Sequence, residues 1–497
     1  MYDITIIGAG IIGSLLAKEL SKYNLNVCLL EKNQSPGLEQ TMSCSAIIHS
    51  GIDPRDGTLK AKLNILGNQK FPALCRELDV EFLRCGALMC ATNNEEMQAL
   101  GEFAKKAKER NIEHQIINRD EIVKLEPNIS DDVLQALSMP TTGVVYPTEV
   151  VIAALEIAVM NDVTIDYNNQ VLKIQEKPNG FNIKTNKQII KTKLIINAAG
   201  IYSDDIYKLG NPDSKYQITG HKGAYFVLNK ENKIVNQVLY PTPTSKGKGV
   251  LAIPTTHGNT LIGPNSIKQD SKSDDSTNKE ELDDIKAKSN KIINGFNMGQ
   301  VIHVYSGIRA KGNTGDFIIE ASKVVPNFIN LIGIESPGLA SSPAICDEVI
   351  KLIKEKTTLE KKVNFIAKRD EQIIFDKLAI DEKNSLIAKY PKYGKIICRC
   401  EKITEQEVIN AIHRPDGAKT VADIKYSIRP TMGLCQGGFC EMKIAKTIAR
   451  ELNIKLSDVL FRNENTNIVL ESKKGVVSHE KIWCNHNWWW SSGNECH

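Results

Sequence analysis

The stretch DITIIGAGIIGSLLAKELSKYNLNVCLLE, residues 3–31, decides the fold. DITII is an apolar run that reads as a buried parallel strand, GAGIIG follows at once, and LLAKELSKY has the pattern of an amphipathic helix. Each glycine has its own duty. Gly8 permits the tight turn, Gly10 lets the backbone approach a pyrophosphate, and Gly13 lets helix pack on strand, while the helix N-terminus offers N–H donors and a positive dipole. A second strand, NVCLLE, ends at Glu31, a carboxylate placed to accept from a ribose hydroxyl. Strand, loop, helix and terminal acid in register predict a dinucleotide site in an α/β unit.

Spacing alone does not choose between FAD and NAD. Two later segments bear on the choice. KLIINAAGIYSDD (193–205) is an apolar strand ending in Ala198, Ala199 and Gly200, and NLIGIESPGLASSPAI (330–345) is a strand, a Gly/Pro turn and a helix start. Small residues at strand ends let backbone approach a flat cofactor. Gly333, Pro337, Gly338 and Leu339 bring a helix N-terminus to where its amides can donate to a flavin's pyrimidine edge.

Near the other end stand Cys398 and Cys400 in CRC and Cys435 and Cys440 in CQGGFC, with 34 residues between the pairs. Four thiolates at these spacings suit a [2Fe–2S] cluster. A structural zinc would use the same ligands, but C-x-C and C-x4-C are unusual zinc spacings. Thr404 with Glu407 and Thr420 with Asp423 predict two capped helices, and a third begins near Cys440 with Ile444, Ile448 and Leu452 on one face. Cys28, Cys44, Cys75, Cys85, Cys90 and Cys346 are scattered and read as small buried hydrophobes.

The whole chain has 497 residues, enough for two or three domains, and a formal net charge of +4. No basic run points to nucleic acid. No apolar stretch approaches the roughly 20 residues of a membrane span, and the N-terminus opens on a strand instead of a leader. A cytoplasmic protein is expected, docked to membrane at most through a partner.

Several segments resemble one family. GAGIIG, TMSCSAIIHSGIDPRDGTLKAKLNILGN (41–68), GVLAIPTTHGNTLIGPNS (249–266), SGIRA (306–310) and GIESPGLASSP (333–343) are similar to FAD-dependent oxidoreductases of the D-amino-acid oxidase and glycerol-3-phosphate dehydrogenase group. Residues 396–453 resemble the bacterioferritin-associated-ferredoxin type of [2Fe–2S] domain. The combination is similar to the catalytic subunit of anaerobic glycerol-3-phosphate dehydrogenases. The resemblance implies an oxidoreductase over 1–360, its doubly wound FAD-binding part (about 1–80, 145–215 and 320–360) interleaved with an antiparallel-sheet substrate part. A connector over 361–395, a small helical [2Fe–2S] domain over 396–460 and a tail over 461–497 follow. The strand-like runs GAYFVL, GVLAIP and NTLIG agree with a substrate-binding sheet.

The implied reaction oxidises glycerol 3-phosphate to dihydroxyacetone phosphate and passes electrons from FAD through the cluster to a partner or quinone. Within the same group the substrate could be a 2-hydroxyacid such as 2-hydroxyglutarate, or an amino acid. A subunit that only transfers electrons is the reading from a different class. Oxidising a secondary alcohol needs a base and a cation for the substrate's anionic end. His49 in AIIHSG resembles the family's histidine near the flavin, and Arg309 in SGIRA resembles its anion-gripping arginine, whose fork binds carboxylate or phosphate. His257 in TTHGN is a second candidate base. His221, Lys222 and Lys311 could supplement Arg309, and Ser43 and Ser45 resemble donors to flavin or pyrophosphate.

Residues 479–497, HEKIWCNHNWWWSSGNECH, contain all four tryptophans of the chain. Tryptophan has one codon, TGG, so the WWW run fixes its bases, and a one-base shift spells glycines. With permitted neighbouring codons the shifted frame reads as a strand and a G-x-G-x-x-G loop. The expectation is an out-of-frame reading of an overlapping downstream gene for a second flavoprotein, or a frameshift joining two genes.

Overall fold

The computed structural model describes residues 1–231, 233–243, 249–471 and 477–478. The tail 479–497, on which the overlapping-gene reading rests, lies outside the described residues. Two compact units divide the chain, Met1–Gln372 and Ile373–His497.

The first unit is built on β1 (Tyr2–Ile7), α1 (Ile11–Leu20), β2 (Val27–Leu30), α2 (Leu59–Leu78), α3 (Pro147–Met160), β3 (Thr164–Asp166), β4 (Ile189–Asn197), β5 (Phe328–Ile332) and α4 (Gly338–Lys354). Its strands pair in parallel in the order β3, β2, β1, β4, β5. Three more strands extend this into an eight-stranded sheet. Alternation along β1 explains the layering: Ile4 and Ile6 join the core shared with α1, α2, α3 and α4, while Ile7 joins a separate core on the other face. The strands are apolar on both sides because both sides are covered.

A nine-stranded sheet forms the other half of this unit. Its long central strand, Ile218–Leu228, pairs antiparallel with Val301–Gly312 along one edge and with Thr260–Gly263 and Ile267–Gln269 along the other. One ladder departs from the expected antiparallel pattern. Val238–Pro241 lies parallel to Ala87–Ala91, a pairing that no hairpin can make and that the long connection between them allows. No helix among the described residues is long and apolar enough to cross a membrane.

Residues 361–372 are tied to the first unit. Arg369 is buried, donates to the carbonyls of Leu78 and Asp79 at 3.0 Å each, and pairs with Glu156 at 3.1 Å. The charged stretch beyond forms one helix, Ile380–Lys389, with short turns on either side.

The second unit carries α5 (Glu405–Ile412), α6 (Val421–Ile428) and α7 (Glu441–Glu451) around a core of Val408, Ile412, Ile424, Ile444 and Ile448. Both capping boxes form. Thr404 accepts from the Glu407 amide while Glu407 accepts from Thr404, and Thr420 and Asp423 repeat the exchange.

Candidate active site

A cleft of about 1770 Å³ in the first unit is lined by the phosphate-loop residues, by the 39–55 loop and by one face of the nine-stranded sheet. Its floor begins at the turn after β1. Gly8 has φ +105, and a side chain there would strike the Ala198 carbonyl at 2.5 Å; one at Gly13 would meet the Gly8 carbonyl at 1.9 Å. Both glycines are demanded by backbone approach. Gly10 differs: a side chain would meet only the Thr41 hydroxyl, at 3.5 Å, so the open space above it belongs to the cleft. Gly10 caps α1 with no side-chain bond, and the first turn has no acid. The Ile11 amide donates to the Thr41 hydroxyl at 3.0 Å, and the rest of this N-terminus, facing open space with no acid in its first turn, fits a pyrophosphate.

Glu31 lines the same cleft and holds the loop. Oε2 accepts from the Ala9 amide at 2.8 Å, and Oε1 accepts from the Asn33 amide and side chain at 2.9 Å each. Burial pushes its carboxyl above the usual range, against the pull of these bonds. Ala199 and Gly200 line the cleft after β4, and Pro337, Gly338 and Leu339 line it at the start of α4, which also has no side-chain cap. Gly333 is not among the lining residues. It has φ +70 and abuts Gly312, whose Cα a side chain would meet at 3.2 Å, so its smallness serves packing.

Around the 39–55 loop the cleft takes in Ser43, Ser45 and His49. Ser43 Oγ donates to the Glu39 carbonyl at 2.8 Å. His49 Nδ1 lies 3.0 Å from the Tyr240 hydroxyl. Burial holds that phenol well above its ordinary pKa, so it stays protonated. The tautomer in which Nδ1 donates to Tyr240 places the basic lone pair on Nε2. The His49 carbonyl accepts from Asn64 at 2.8 Å and from Asn68 at 3.1 Å, both on α2. Sequence reasoning missed Tyr240 and the two asparagines. A signal was present in the latter: two buried asparagines one turn apart are poor helix formers, placed where a backbone needs partners.

Arg309 enters from the sheet. Along Val301–Gly312, residues 305, 307, 309 and 311 share a face, as do 221, 223 and 225 on the paired strand. Arg309 donates to the Asn265 carbonyl at 3.1 Å, and no acid pairs with it among the described residues. Its guanidinium lies over Gly223, where a side chain would meet Nη2 at 2.5 Å. Gly223 is a further residue that sequence reasoning passed over. Tyr225, stacked on Tyr305 at 4.9 Å, is pushed up to about 12 by burial although Arg309 pulls it down. His221 and Lys311 line the cleft as well.

Two of the candidates stand apart. His257 is not in the lining; it sits in the turn between Leu251–Pro254 and Thr260–Gly263, against Thr256 at 2.9 Å and edge-on to Tyr146. Lys222 faces away from His221's side of the strand and is buried in an ion pair with Glu281 at 2.9 Å.

In the second unit, Cys398 ends a short strand and Cys440 caps α7. The thiols form two pairs. A hydrogen bond from Cys440 pulls Cys398 down to about 6 and raises Cys440, and Cys400 bonds Cys435. Among the described residues no three such side chains gather as on a single ion; two pairs suit two irons with two thiolates each. Gly433 permits the approach, since a side chain there would meet Cys400 Cβ at 2.3 Å. The Thr431 amide bonds the sulfurs of both Cys398 and Cys440, and Thr431 holds φ 68, a strained left-handed conformation for a β-branched residue.

Comparison with known proteins finds relatives of both units. The FAD dependent oxidoreductase family matches residues 3–352, and the BFD-like [2Fe-2S] binding domain matches residues 396–450. A glycerol 3-phosphate dehydrogenase of Caloramator mitchellensis is 42% identical over 480 residues, covering 96% of this chain and 100% of the relative. A glycerol 3-phosphate oxidase of Mycoplasma genitalium is 34% identical, covering 73% of this chain and 97% of the relative. Among solved structures, dithionite-reduced L-alpha-glycerophosphate oxidase of Mycoplasma pneumoniae with FAD bound superposes with a TM-score of 0.71 at 29% identity, over 75% of this chain and 99% of that one.

Proposed function

We propose that this chain, which belongs to the FAD dependent oxidoreductase family and carries a BFD-like [2Fe-2S] binding domain, oxidises glycerol 3-phosphate to dihydroxyacetone phosphate. It is an FAD-dependent enzyme, and its cofactors are FAD and a [2Fe–2S] cluster. The observation that carries the substrate reading is Arg309: a guanidinium with no acidic partner among the described residues, in the same cleft as His49. An unpaired cation in a partly buried cleft calls for an anionic ligand.

FAD, when bound along the Gly8–Gly13 loop and α4, supplies the hydride acceptor. The chain's residues do the rest. Arg309 grips the phosphate, and His49 takes the hydroxyl proton as the carbinol carbon gives up its hydride, leaving a ketone. Tyr240 anchors the His49 ring at Nδ1, while Asn64 and Asn68 fix its backbone. Cys398, Cys400, Cys435 and Cys440 would hold the cluster, which would supply a one-electron path from the flavin to an acceptor. For that acceptor we favour a protein partner over quinone, namely the second flavoprotein read in the shifted frame of residues 479–497. Sequencing the DNA through that segment and downstream of it tests this, and a shifted frame that closes shortly downstream, too soon to encode a protein, would end that part of the proposal.

Anaerobic mixing of the purified flavoprotein with glycerol 3-phosphate should bleach the flavin, and 2-hydroxyglutarate, lactate and proline should do so far more slowly. Faster bleaching by any of those three would replace the substrate.

A further inference from the structure

Three adjacent strands of the nine-stranded sheet place a row of cations on the face that looks into the cleft. His221 is paired directly with Arg309 on one side and with Lys268 on the other, and Lys311 lies two residues beyond Arg309 on the same face. All four line the cleft. Arg309, Lys268 and Lys311 carry charge of one sign, and their mutual repulsion is unfavourable until an anion joins them. Relief by acids is not built in: among the described residues none pairs with Arg309, Lys268 or Lys311. The acid within electrostatic reach of His221 is Glu335, which is already engaged with Lys60 at 2.7 Å. Burial, Lys311 and Arg309 all pull the His221 imidazole down, so the row keeps His221 neutral and leaves three fixed positive charges around it. Gly223 lets Arg309 lie flat in the row, and Asn265 holds it there.

We propose that Lys268 and Lys311 extend the Arg309 site into a cationic rim that draws in and helps hold a dianionic phosphate head, favouring phosphorylated alcohols over monocarboxylates. This rests on the substrate reading above for its consequence but not for its test. Lys268 and Lys311 are exposed, so they act by field more than by burial, and their effect falls on capture and not on the chemical step. They are positioning residues; Arg309 remains the direct contact.

The test uses the FAD-loaded protein and inorganic phosphate as probe. Calorimetry with wild type and with a Lys268→Gln/Lys311→Gln double variant should show phosphate affinity lower in the variant by about tenfold, with a weaker dependence on sodium chloride. Flavin content should match wild type, since both changes lie on exposed side chains. Stopped-flow reduction by glycerol 3-phosphate should show the second-order rate lowered similarly, with the limiting rate at saturation within about twofold. Equal phosphate affinity and equal salt dependence in the two proteins would overturn the proposal. A Lys311→Glu change should weaken phosphate further, and a rise in affinity there would overturn it as well. The two readings separate cleanly. If wild type binds phosphate through the row yet is not reduced by glycerol 3-phosphate, the rim stands and the substrate reading falls.

Discussion

Gly223 has no side chain, and the site depends on that. Its backbone pairs with Gly307, and the space above it is filled by the Arg309 guanidinium. A Gly223→Ala change adds a methyl 2.5 Å from Nη2 and 2.8 Å from the Asn265 carbonyl that holds it, so both the fork and its anchor must shift. Substrate capture should weaken by about 1–3 kcal/mol, the scale of a misplaced charged hydrogen bond. Steady-state kinetics would register this as a raised KM with flavin content unchanged, and an unchanged KM would show that Arg309 has room to adapt. Glu126 gives a second residue-scale prediction. It is buried and accepts from the amides of Asn236 and Gln237, yet burial raises its pKa to about 7. An unfolded glutamate titrates near 4.3. A raised folded pKa means a contribution present below about pH 4 and lost as pH rises through 7, up to about 4 kcal/mol in all. The apparent melting temperature should therefore fall between pH 5 and 8 more in wild type than in Glu126→Gln; parallel curves would remove Glu126 as the cause.

At the scale of elements, the same substitution at two mid-helix glycines should have opposite signs. Gly67 in α2 packs on α4 so tightly that a side chain would meet the Ala340 carbonyl at 2.0 Å, and backbone there cannot yield. Gly101, in the helix Asn94–Glu109, has nothing within 4 Å. Gly67→Ala should destabilise by about 1–3 kcal/mol and loosen flavin, because α4 carries Gly338 and Leu339 at the cleft edge. Gly101→Ala should stabilise by about 0.5–1 kcal/mol through helix propensity. Thermal melts with flavin release as a second readout check both, and equal effects would mean that helix packing does not set the α4 position.

These contrasts also show what a sequence can disclose. The phosphate loop was legible because its demands are local: strand, three glycines and helix all lie within residues 2–20. Both capping boxes were legible for the same reason. The row Lys268–His221–Arg309 was not, since it arises from register between strands far apart in the chain, and neither was the parallel ladder of Val238–Pro241. Gly333 illustrates the reverse case. Its loop was read correctly as a turn, but Gly312, whose backbone it meets, lies in a separate strand and gave no sign of the contact.

At the scale of the whole molecule, the flavin and cluster stretches fall in separate compact units, each with its own apolar core. That separation makes the cofactors independently removable. The four cysteines are not equal targets, however. Cys398 and Cys440 belong to the core of the second unit, whereas Cys435 is only half-buried in the loop before α7 and packs against none of that core. Replacing a core cysteine would confound ligand loss with a packing defect. Cys435→Ser avoids this, and we expect iron and acid-labile sulfide to be lost while FAD stays bound at wild-type stoichiometry. Reduction of the flavin by substrate should proceed as before, because His49 and Arg309 lie in the other unit. Iron and sulfide retained at wild-type levels would show that Cys435 is not needed to hold the cluster, and loss of FAD together with iron would show that the units do not fold separately.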